Sequence, residues 1–373
     1  MGLGKYCQIV IPKVICGFQA LKYWQNPWGG GSILGMARIQ FIHGYDNIIS
    51  TENLLEAWKE FRSGKKSRKD VQEFELYLMK NIFSLHQDLV SKTYKHSHYE
   101  AFNISDPKPR NIHKATVRDR LLHHALYRVL YPFFDKTFIA DSFSCRRWQG
   151  TNKAMDRFRA FSYKVSKNHT KTAWVLKCDI RKFFASIDHE ILKGVLRQYI
   201  PDENIMGLLS EIIGSFSTRE GVGLPLGNLT SQILVNVYMN EFDQFVKHKL
   251  KAKYYVRYAD DFIILSDDKE WLEIMISRIK EFLWERLRLE LHPDKVFIKT
   301  VASGVDFLGW ILFPDHRVLR TTTKRRAFKN IMEKHGKPEV AQSYLGIVGH
   351  GNGYKVRRRI EKMLENNSLG GIM

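Results

Sequence analysis

The sequence predicts an α+β protein in which helices accompany an antiparallel β-sheet, and two patterns carry this prediction. Residues 254–256 and 262–265 are short apolar runs of β-prone residues separated by a few positions, as in a β-hairpin. Further upstream, apolar residues recur at helical spacing in several segments. The two periodicities together place helices and a paired sheet in one chain.

The predicted helices lie in the first part of the chain, and each carries an apolar stripe that is typical of a core-facing surface. They cover residues 51–61, 71–92 and 117–134. Ser50 or Thr51 is expected to cap the first of them. Residues 100–114 contain Pro107 and Pro109 and are predicted to be extended, because a residue before proline avoids the helical region.

Two adjacent acids, Asp260 and Asp261, fall in the predicted turn of the hairpin. Fixed carboxylates at the edge of a buried sheet repel each other unless a cation lies between them. Mg²⁺ is a hard cation that prefers carboxylate oxygen. Taken alone, the pair is better explained as an Asp-Asp surface turn, because short motifs often match by chance.

A third acid changes that interpretation. Residues 175–180 are predicted to form a strand that ends at Asp179, and Asp188 is placed to cap the helix that follows. The chain between Asp179 and Asp260 is long enough for a helical segment that returns the first strand to the hairpin. Three carboxylates on two neighbouring strands can hold two Mg²⁺ ions about 3.5–4 Å apart, which stabilises the attacking and leaving oxygens of phosphoryl transfer.

The composition indicates a polyanionic partner. The chain has 373 residues, with 59 Lys and Arg against 39 Asp and Glu, and its formal net charge is +20. This charge suits nucleic acid, and a solvated basic surface or a membrane-surface binder is the alternative. Hydrophobic residues make up 44% of the chain, which is too many for a disordered basic tail. No apolar run reaches transmembrane length, and the cysteines show no CxxC spacing, so we expect a reducing cytosol.

Four motifs resemble one known family. CDIRKFFASID, LPLGNLTSQ, YADDF and FLGW occur in this order and together resemble the palm of a reverse transcriptase. The resemblance runs from about Tyr45 to beyond residue 350. It implies a right-hand polymerase with fingers, an antiparallel-sheet palm and a short helical thumb. It also implies RNA-directed DNA polymerase activity with two Mg²⁺ ions bound by Asp179, Asp260 and Asp261.

The resemblance also divides the chain into regions. We expect N-terminal helices and fingers at residues 41–170, a palm interleaved with fingers at 171–312, and a thumb at 313–373. Residues 1–40 would be an N-terminal extension of uncertain role, since they precede the family-like sequence and match a signal peptide poorly. Whether they are an upstream extension or an accessory arm is left open.

The residues around the expected nucleotide site are also implied by the resemblance. Lys108 and Arg110 alternate with proline, so both side chains can point the same way, and they would lie on a fingers strand that grips the triphosphate. Phe184 would lie under the sugar and exclude a 2′-hydroxyl, and Lys295 would protonate pyrophosphate or steady the triphosphate. A solvated basic loop, a core phenylalanine and a surface lysine are the alternatives. The primer grip, a tight hairpin that holds the primer end, would consist of Phe307, Leu308, Gly309 and Trp310.

The segment at residues 221–236 departs from the common pattern of this family. Most reverse transcriptases have Gln before the glycine and Pro after the serine, where this chain has Leu226 before Gly227 and Gln232 after Ser231. The pattern resembles reverse transcriptases of diversity-generating retroelements, which copy a template RNA with errors mainly at adenine and so diversify a target gene. Because leucine neither donates nor accepts a hydrogen bond, it removes a contact that could help to fix the nascent base pair.

The same resemblance names the partners. They would be template RNA and its cDNA, deoxynucleoside triphosphates, and an accessory variability determinant protein that assembles as an oligomer. No membrane is involved, and the expected location is the cytoplasm of a prokaryotic or phage-infected cell. A group II intron-like or defence-associated (retron-type) reverse transcriptase is the alternative, and so is a catalytically idle RNA-binding relative.

Two further features of the sequence each allow more than one interpretation. Arg146 and Arg147 precede Trp148, which suits a nucleic-acid backbone and a stacked base, or else a surface loop with a buried tryptophan. His123 and His124 are ordinary helix residues or groups that face RNA, and they lack the companions expected of zinc ligands.

Overall fold

The computed structural model describes residues 38–105, 109–333 and 337–369. Nearly all of the extension predicted at residues 1–40 lies outside the described residues, and so does Lys108. Contacts divide the chain into Met1–Arg38 and Ile39–Met373, and all of the described helices and strands belong to the second unit.

The described chain contains helices and strands in the following order along the sequence within each class. The helices are α1 (Tyr45–Ile49), α2 (Thr51–Arg62), α3 (Lys69–Leu76), α4 (Leu78–Val90), α5 (Val117–Phe134), α6 (Thr151–Val165), α7 (His189–Arg197), α8 (Glu203–Gly214), α9 (Leu229–Gln244), α10 (Lys269–Leu287), α11 (Thr321–Glu333), α12 (Pro338–Val348) and α13 (Tyr354–Leu369). The strands are β1 (Glu100–Ile104), β2 (Arg110–Lys114), β3 (Trp174–Asp179), β4 (Tyr254–Tyr258), β5 (Asp261–Ser266), β6 (Phe297–Thr300), β7 (Val305–Phe307), β8 (Trp310–Leu312) and β9 (Arg317–Leu319). A 3₁₀ turn at Phe183–Ser186 follows β3, and a π-helical turn at Phe245–Lys249 extends α9.

A four-stranded antiparallel sheet forms the centre of the fold, with strand order β4-β5-β3-β6. β4 and β5 form the predicted hairpin, and its two-residue turn consists of Ala259 and Asp260. β3 lies beside β5 in a register that pairs Asp179 with Asp261. The prediction that the first strand returns to the hairpin is thereby confirmed.

Apolar side chains cover both faces of this sheet, because successive residues of a strand point to opposite sides. On one face, the rings of Tyr255 and Phe262 contact Phe242 of α9. On the other face, Val256 and Ile263 join a core cluster that includes residues of α6. Water is therefore kept from the strands on both sides, and a polar side chain within them needs a protein partner.

The N-terminal helices pack around α5, which also contacts α9 and so connects them to the helix that covers the sheet. α2 begins after Ser50, whose Oγ accepts from the N–H of Asn53 at 3.2 Å, and α5 covers the predicted segment. The helix predicted at residues 71–92 is interrupted at Tyr77, where φ is −118° and ψ is 34°. The prediction of one continuous helix there is wrong, since the backbone leaves the helical region at this residue.

His123 is buried in α5, so it does not face RNA. Neither of its ring nitrogens has a hydrogen-bond partner among the described residues, and burial lowers the pKa of the imidazole to about 3. The ring stacks on His96 with centroids 5.3 Å apart. His123 is thus a neutral core residue at physiological pH.

A second antiparallel sheet, with strand order β7-β8-β9, precedes helices α11, α12 and α13. The turn between β7 and β8 consists of Leu308 and Gly309, whose φ angles are both positive at 51° and 87°. Two positive φ angles are typical of a tight type I′ hairpin. Phe307 and Trp310 flank the turn and are buried in a cluster that also includes residues of these three helices. The hairpin and the C-terminal helices therefore share one core.

A fully buried ion pair lies next to the turn that carries Asp260. Arg257 of β4 and Asp243 of α9 are both inaccessible to solvent, and the arginine donates through Nε and Nη2 to the two carboxylate oxygens at 2.7 Å each. The same guanidinium donates through Nη1 to the backbone oxygen of Ala259 at 3.1 Å. Arg257 thereby connects α9 to the residue that precedes Asp260.

The remaining donors of Arg257 are also satisfied. Nη2 donates to Oγ of Ser142 at 2.9 Å, and Nη1 donates to Oδ1 of Asn236 at 3.3 Å. The hydroxyl of Tyr255 donates to Oδ1 of Asp243 at 2.7 Å. A buried charge is tolerated only with such partners, and here every N–H of the guanidinium has one.

Asp243→Ala is expected to lower the free energy of unfolding by about 3–5 kcal/mol, because it leaves Arg257 buried without a counter-charge. Urea unfolding followed by circular dichroism measures the change. Glu273→Ala is the matched control, since Glu273 pairs with Lys269 at 3.0 Å on the surface of α10, and it should cost less than about 1 kcal/mol. Equal losses in the two variants would contradict the weight given to the buried pair.

Candidate active site

Three aspartates meet at one end of the central sheet. Asp179 is the last residue of β3 and Asp261 is the first residue of β5, and the two are directly paired across the strands. Directly opposed residues of antiparallel strands have Cβ atoms about 4.5–5.5 Å apart on the same face. Asp260 lies in the adjoining turn, and its backbone oxygen accepts from the N–H of Ile180 at 3.1 Å. The structure therefore brings together the three acids that the sequence singled out.

Burial raises the pKa of two of these carboxyl groups. The pKa of Asp261 rises to about 7, mainly because the group is buried and further because Asp179 and Asp260 are negative, against the opposing charge of Lys177. Burial and the charge of Asp179 also raise the pKa of Asp260. This crowding disfavours three simultaneous negative charges and favours a nearby cation.

Two lysines supply positive charge to the cluster. Nζ of Lys295 donates to Oδ1 of Asp179 at 2.9 Å, so Lys295 contacts an acid of the cluster directly. Nζ of Lys177 lies 3.3 Å from Oδ2 of Asp261 and donates to the backbone oxygen of Asp306 at 2.7 Å. Because Asp306 belongs to β7, Lys177 connects the acid cluster to the β7–β8 hairpin.

The donor set fits divalent cations. Its oxygens are hard carboxylate oxygens, which Mg²⁺ prefers. One of them, Oδ1 of Asp261, is buried and has no hydrogen-bond partner among the described residues. Within residues 38–105, 109–333 and 337–369, no group of three or more His, Cys, Asp or Glu side chains is already arranged around a single metal position. Asp179, Asp260 and Asp261 are the residues that would hold the cations.

Arg110 is exposed at the start of β2, and its positive charge opposes, as the smallest contribution, the rise that burial and Asp179 cause in the pKa of Asp260. Arg110 therefore contributes to the electrostatic field at the acid cluster. Lys108, the second cation predicted for this strand, lies outside the described residues. The structure thus brings one of the two predicted phosphate-binding cations into the neighbourhood of the acids.

The two phenylalanines after Asp179 have different surroundings. Phe183 is buried, whereas Phe184 is partly exposed, and their rings meet edge to face with centroids 5.6 Å apart. The backbone oxygen of Phe184 accepts from the N–H of Leu224 at 2.8 Å. Phe183 is therefore a core residue, and Phe184 keeps ring surface available to a ligand.

Residues 224–227, which we call the LPLG segment, contact β2. The backbone oxygen of Leu226 accepts from the N–H of His113 at 3.0 Å. Gly227 has a φ of 116°, and a Cβ atom there would lie 3.1 Å from Cγ2 of Ile112. Both the backbone conformation and the close approach therefore favour glycine. Gln232 is partly buried at the beginning of α9.

Sequence analysis missed three charged residues that support the site: Lys177, Asp243 and Arg257. Lys177 and Arg257 each follow apolar residues within a β-prone strand, and charged residues are rarely buried unless they are paired. That pattern could have indicated a buried charge network. The partners are distant in the sequence, so the pattern does not identify which residues pair.

A match to a known protein family covers the residues of this site. A profile described as reverse transcriptase (RNA-dependent DNA polymerase) matches residues 102–312, more than half of the chain. The matched segment contains the three aspartates, the LPLG segment and the β7–β8 hairpin. The chain belongs to the reverse transcriptase family. The central sheet is accordingly the palm of a right-hand polymerase, as the sequence predicted.

Similar proteins include one encoded by a group II intron. Protein YkfC of Escherichia coli (strain K12) is 25% identical over 259 residues, which cover 59% of this chain and 66% of that protein. The group II intron-encoded protein LtrA of Lactococcus lactis subsp. cremoris is 23% identical over 293 residues, which cover 60% of this chain and 47% of that protein. This chain thus spans between 47% and 66% of the length of these relatives.

Among solved structures, apo telomerase from Candida tropicalis, truncated from its C-terminal domain, is similar at a TM-score of 0.46 and 12% identity. The similarity covers 64% of this chain and 59% of that chain. A search of the described helices for a membrane span found none with the required length and apolarity.

Proposed function

We propose that this protein is an RNA-directed DNA polymerase that extends a primer by copying a template RNA. The observation that carries the proposal is the pairing of Asp179 with Asp261 across the palm strands, with Asp260 in the adjoining turn. Membership of the reverse transcriptase family supports the same activity. The net charge of +20 suits a protein that holds two nucleic-acid strands.

In the proposed reaction, the primer 3′-hydroxyl loses its proton and its oxygen attacks the α-phosphorus of a deoxynucleoside triphosphate. The bond to the bridging oxygen breaks, and pyrophosphate leaves. Asp179, Asp260 and Asp261 would hold two Mg²⁺ ions, which supply charge stabilisation for the attacking and leaving oxygens. Arg110 would bind phosphate oxygens through its planar guanidinium, assisted by Lys108 and Lys295.

Asp260→Asn is expected to abolish Mg²⁺-dependent primer extension on RNA and to leave RNA binding largely intact, because the amide removes a charge and keeps the side-chain shape. A labelled primer gives the extension rate, and a gel shift gives the affinity. Asp267→Asn is the matched control, since Asp267 is exposed just beyond the far end of β5, and it should extend at the parental rate. Near-parental extension by Asp260→Asn would refute the metal-site assignment.

Phe184→Ala is expected to admit ribonucleotides, because it removes the ring proposed to exclude the 2′-hydroxyl. The measurement is the ratio of ribonucleotide to deoxynucleotide incorporation. Phe183→Ala is the control on the neighbouring buried ring, and it should cost about 3–5 kcal/mol of stability without changing that ratio. An unchanged ratio in Phe184→Ala would place the sugar selection elsewhere.

We further propose that the enzyme serves a diversity-generating retroelement and makes errors mainly at template adenine. Support comes from the sequence pattern at Leu226 and Gln232. Leucine offers no hydrogen bond to the nascent pair, so a mispair leaves no polar group unsatisfied there. The proposed partners are template RNA, cDNA and an accessory oligomeric protein, in the cytoplasm.

Leu226→Gln is expected to lower misincorporation opposite adenine more than opposite the other bases. One restored hydrogen bond is worth about 1 kcal/mol, or roughly a several-fold gain in discrimination. Gln232→Pro is combined with it, because related enzymes carry both residues and proline is tolerated near a helix start. Sequenced cDNA gives the error spectrum, and Leu226→Met, which stays apolar, should keep the parental spectrum. Parental adenine errors in both the single and the double mutant would rule out this loop as the source of the bias.

A group II intron-like or retron-type reverse transcriptase is the second candidate, because the relatives include a group II intron-encoded protein. The cDNA error spectrum separates the two. Errors concentrated at template adenine support the retroelement, and an even spectrum supports the intron-like enzyme. Parental protein that binds RNA without extending a primer would favour an idle RNA-binding relative.

A further inference from the structure

Trp148 is 87% exposed, which is unusual for so large an apolar side chain. Its φ is 62°, a backbone conformation that a bulky residue rarely adopts. Its indole makes no hydrogen bond and no ring contact with the described part of the chain. The alternative of a buried tryptophan is therefore wrong, and the structure presents this ring to solvent.

The loop that presents Trp148 is held firmly from the end of α5. Arg146 donates through Nε to Oδ1 of Asp135 at 2.7 Å, and through Nη1 to the backbone oxygens of Ile139 and Ser142 at 2.7 and 3.0 Å. The N–H of Arg147 donates to the hydroxyl oxygen of Tyr131 at 2.6 Å. An unfavourable backbone conformation persists only where its surroundings enforce it, and such positions concentrate at binding sites.

Exposed cations lie near Trp148 in the sequence, on its own loop and at the start of the next helix. The guanidinium of Arg147 lies 5.4 Å from the ring centre of Tyr131, and the residue is exposed. Lys153, in the first turn of α6, is exposed as well. An exposed aromatic ring on a loop that also carries exposed cations suits the two surfaces of a nucleotide, which are its base and its phosphate.

A polar cleft continues from this loop. It has a volume of about 290 Å³ and lies between Thr151 and Asn152 of α6, Trp310 of β8, and Ser343 and His350 in and after α12. The cleft begins within about 11 Å of Trp148, because three residues of chain cannot span more. A strand that contacts Trp148 can therefore continue into it.

We propose that Trp148 stacks on an unpaired base of bound nucleic acid and that Arg147 binds the adjoining phosphate. A base inside a duplex has both faces covered by its neighbours, so only an unpaired base or one at the end of a duplex is accessible to stacking, and the proposal assigns the unpaired one. The proposal rests on the proposed function for its class of ligand. It adds a specific contact outside the acid cluster.

The surroundings of Trp148 favour nucleic acid over a protein partner. Protein interfaces have an apolar centre from which charged residues are depleted. The residues that flank this indole are Arg147 and Gln149, and neither supplies such a centre. Stacking on one ring with phosphate contacts at its edge needs no larger apolar patch.

The test compares two exposed tryptophans that each have an arginine nearby. Trp148→Ala should weaken binding of a single strand of about ten nucleotides by roughly 5- to 150-fold. Trp284→Ala is the matched control, since Trp284 of α10 is 52% exposed and lies 5.6 Å from the guanidinium of Arg288, and it should bind as the parent does. Trp148→Phe should retain most of the affinity and lose the tryptophan quenching that accompanies binding.

Salt dependence separates stacking from phosphate binding. Arg147→Ala should reduce the slope of log affinity against log salt by about 0.7, the value for one phosphate contact on a single strand. Trp148→Ala should leave that slope unchanged. Trp148→Gly should be at least as stable as Trp148→Ala, since glycine adopts this φ freely, and should bind equally weakly, which a purely structural role would not produce.

Single-stranded RNA and single-stranded DNA of one sequence are measured beside a blunt duplex. Loss of affinity with RNA assigns the base to the template strand, and loss with DNA assigns it to the cDNA. Equal binding by Trp148→Ala and Trp284→Ala, or an equal loss with the duplex, would overturn the proposal. Primer extension by the parental protein is measured separately, so that failure of the polymerase proposal is distinguished from failure of the stacking proposal.

Discussion

The buried ion pair between Arg257 and Asp243 is the constraint on which the geometry of the site depends. It joins the helix that covers one face of the sheet to the first strand of the β4–β5 hairpin. Through the backbone oxygen of Ala259, the same guanidinium holds the two-residue turn from inside the protein. The buried guanidinium of Arg257 thus restrains the residue that precedes Asp260. A turn fixed in this way can keep a like-charged pair together in spite of its repulsion.

Cations from the surrounding elements also compensate the negative charge of the three aspartates. Lys177 and Lys295 each contact one of the paired aspartates, and Arg110 acts on Asp260 from β2. Each cation comes from a different element, so the acids are surrounded by groups that the fold brings together over long sequence distances. Since Lys177 also bonds to β7, the acid cluster and the hairpin next to it are fixed relative to each other by one side chain.

The sequence predicts the parts of this fold that local patterns determine. The β4–β5 hairpin, the strand that ends at Asp179 and the helix capped by Asp188 all follow from alternation, periodicity and capping chemistry. The break at Tyr77 could not be predicted, because no proline or glycine marks it and the apolar stripe continues across it. The partners of Arg257 and Lys177 could not be predicted either, because they lie in separate segments of the sequence and meet only in the folded core.

The contact between the LPLG segment and β2 has a consequence for how this enzyme can change over evolution. The backbone oxygen of Leu226 accepts from His113 of the same short strand that begins with Arg110, and a Cβ atom on Gly227 would lie only 3.1 Å from Cγ2 of Ile112. A substitution that displaces the strand would move Leu226 and the proposed phosphate ligand Arg110 together. In the roles proposed for these two residues, copying accuracy and nucleotide affinity are mechanically linked, and a change in one trait would alter the other.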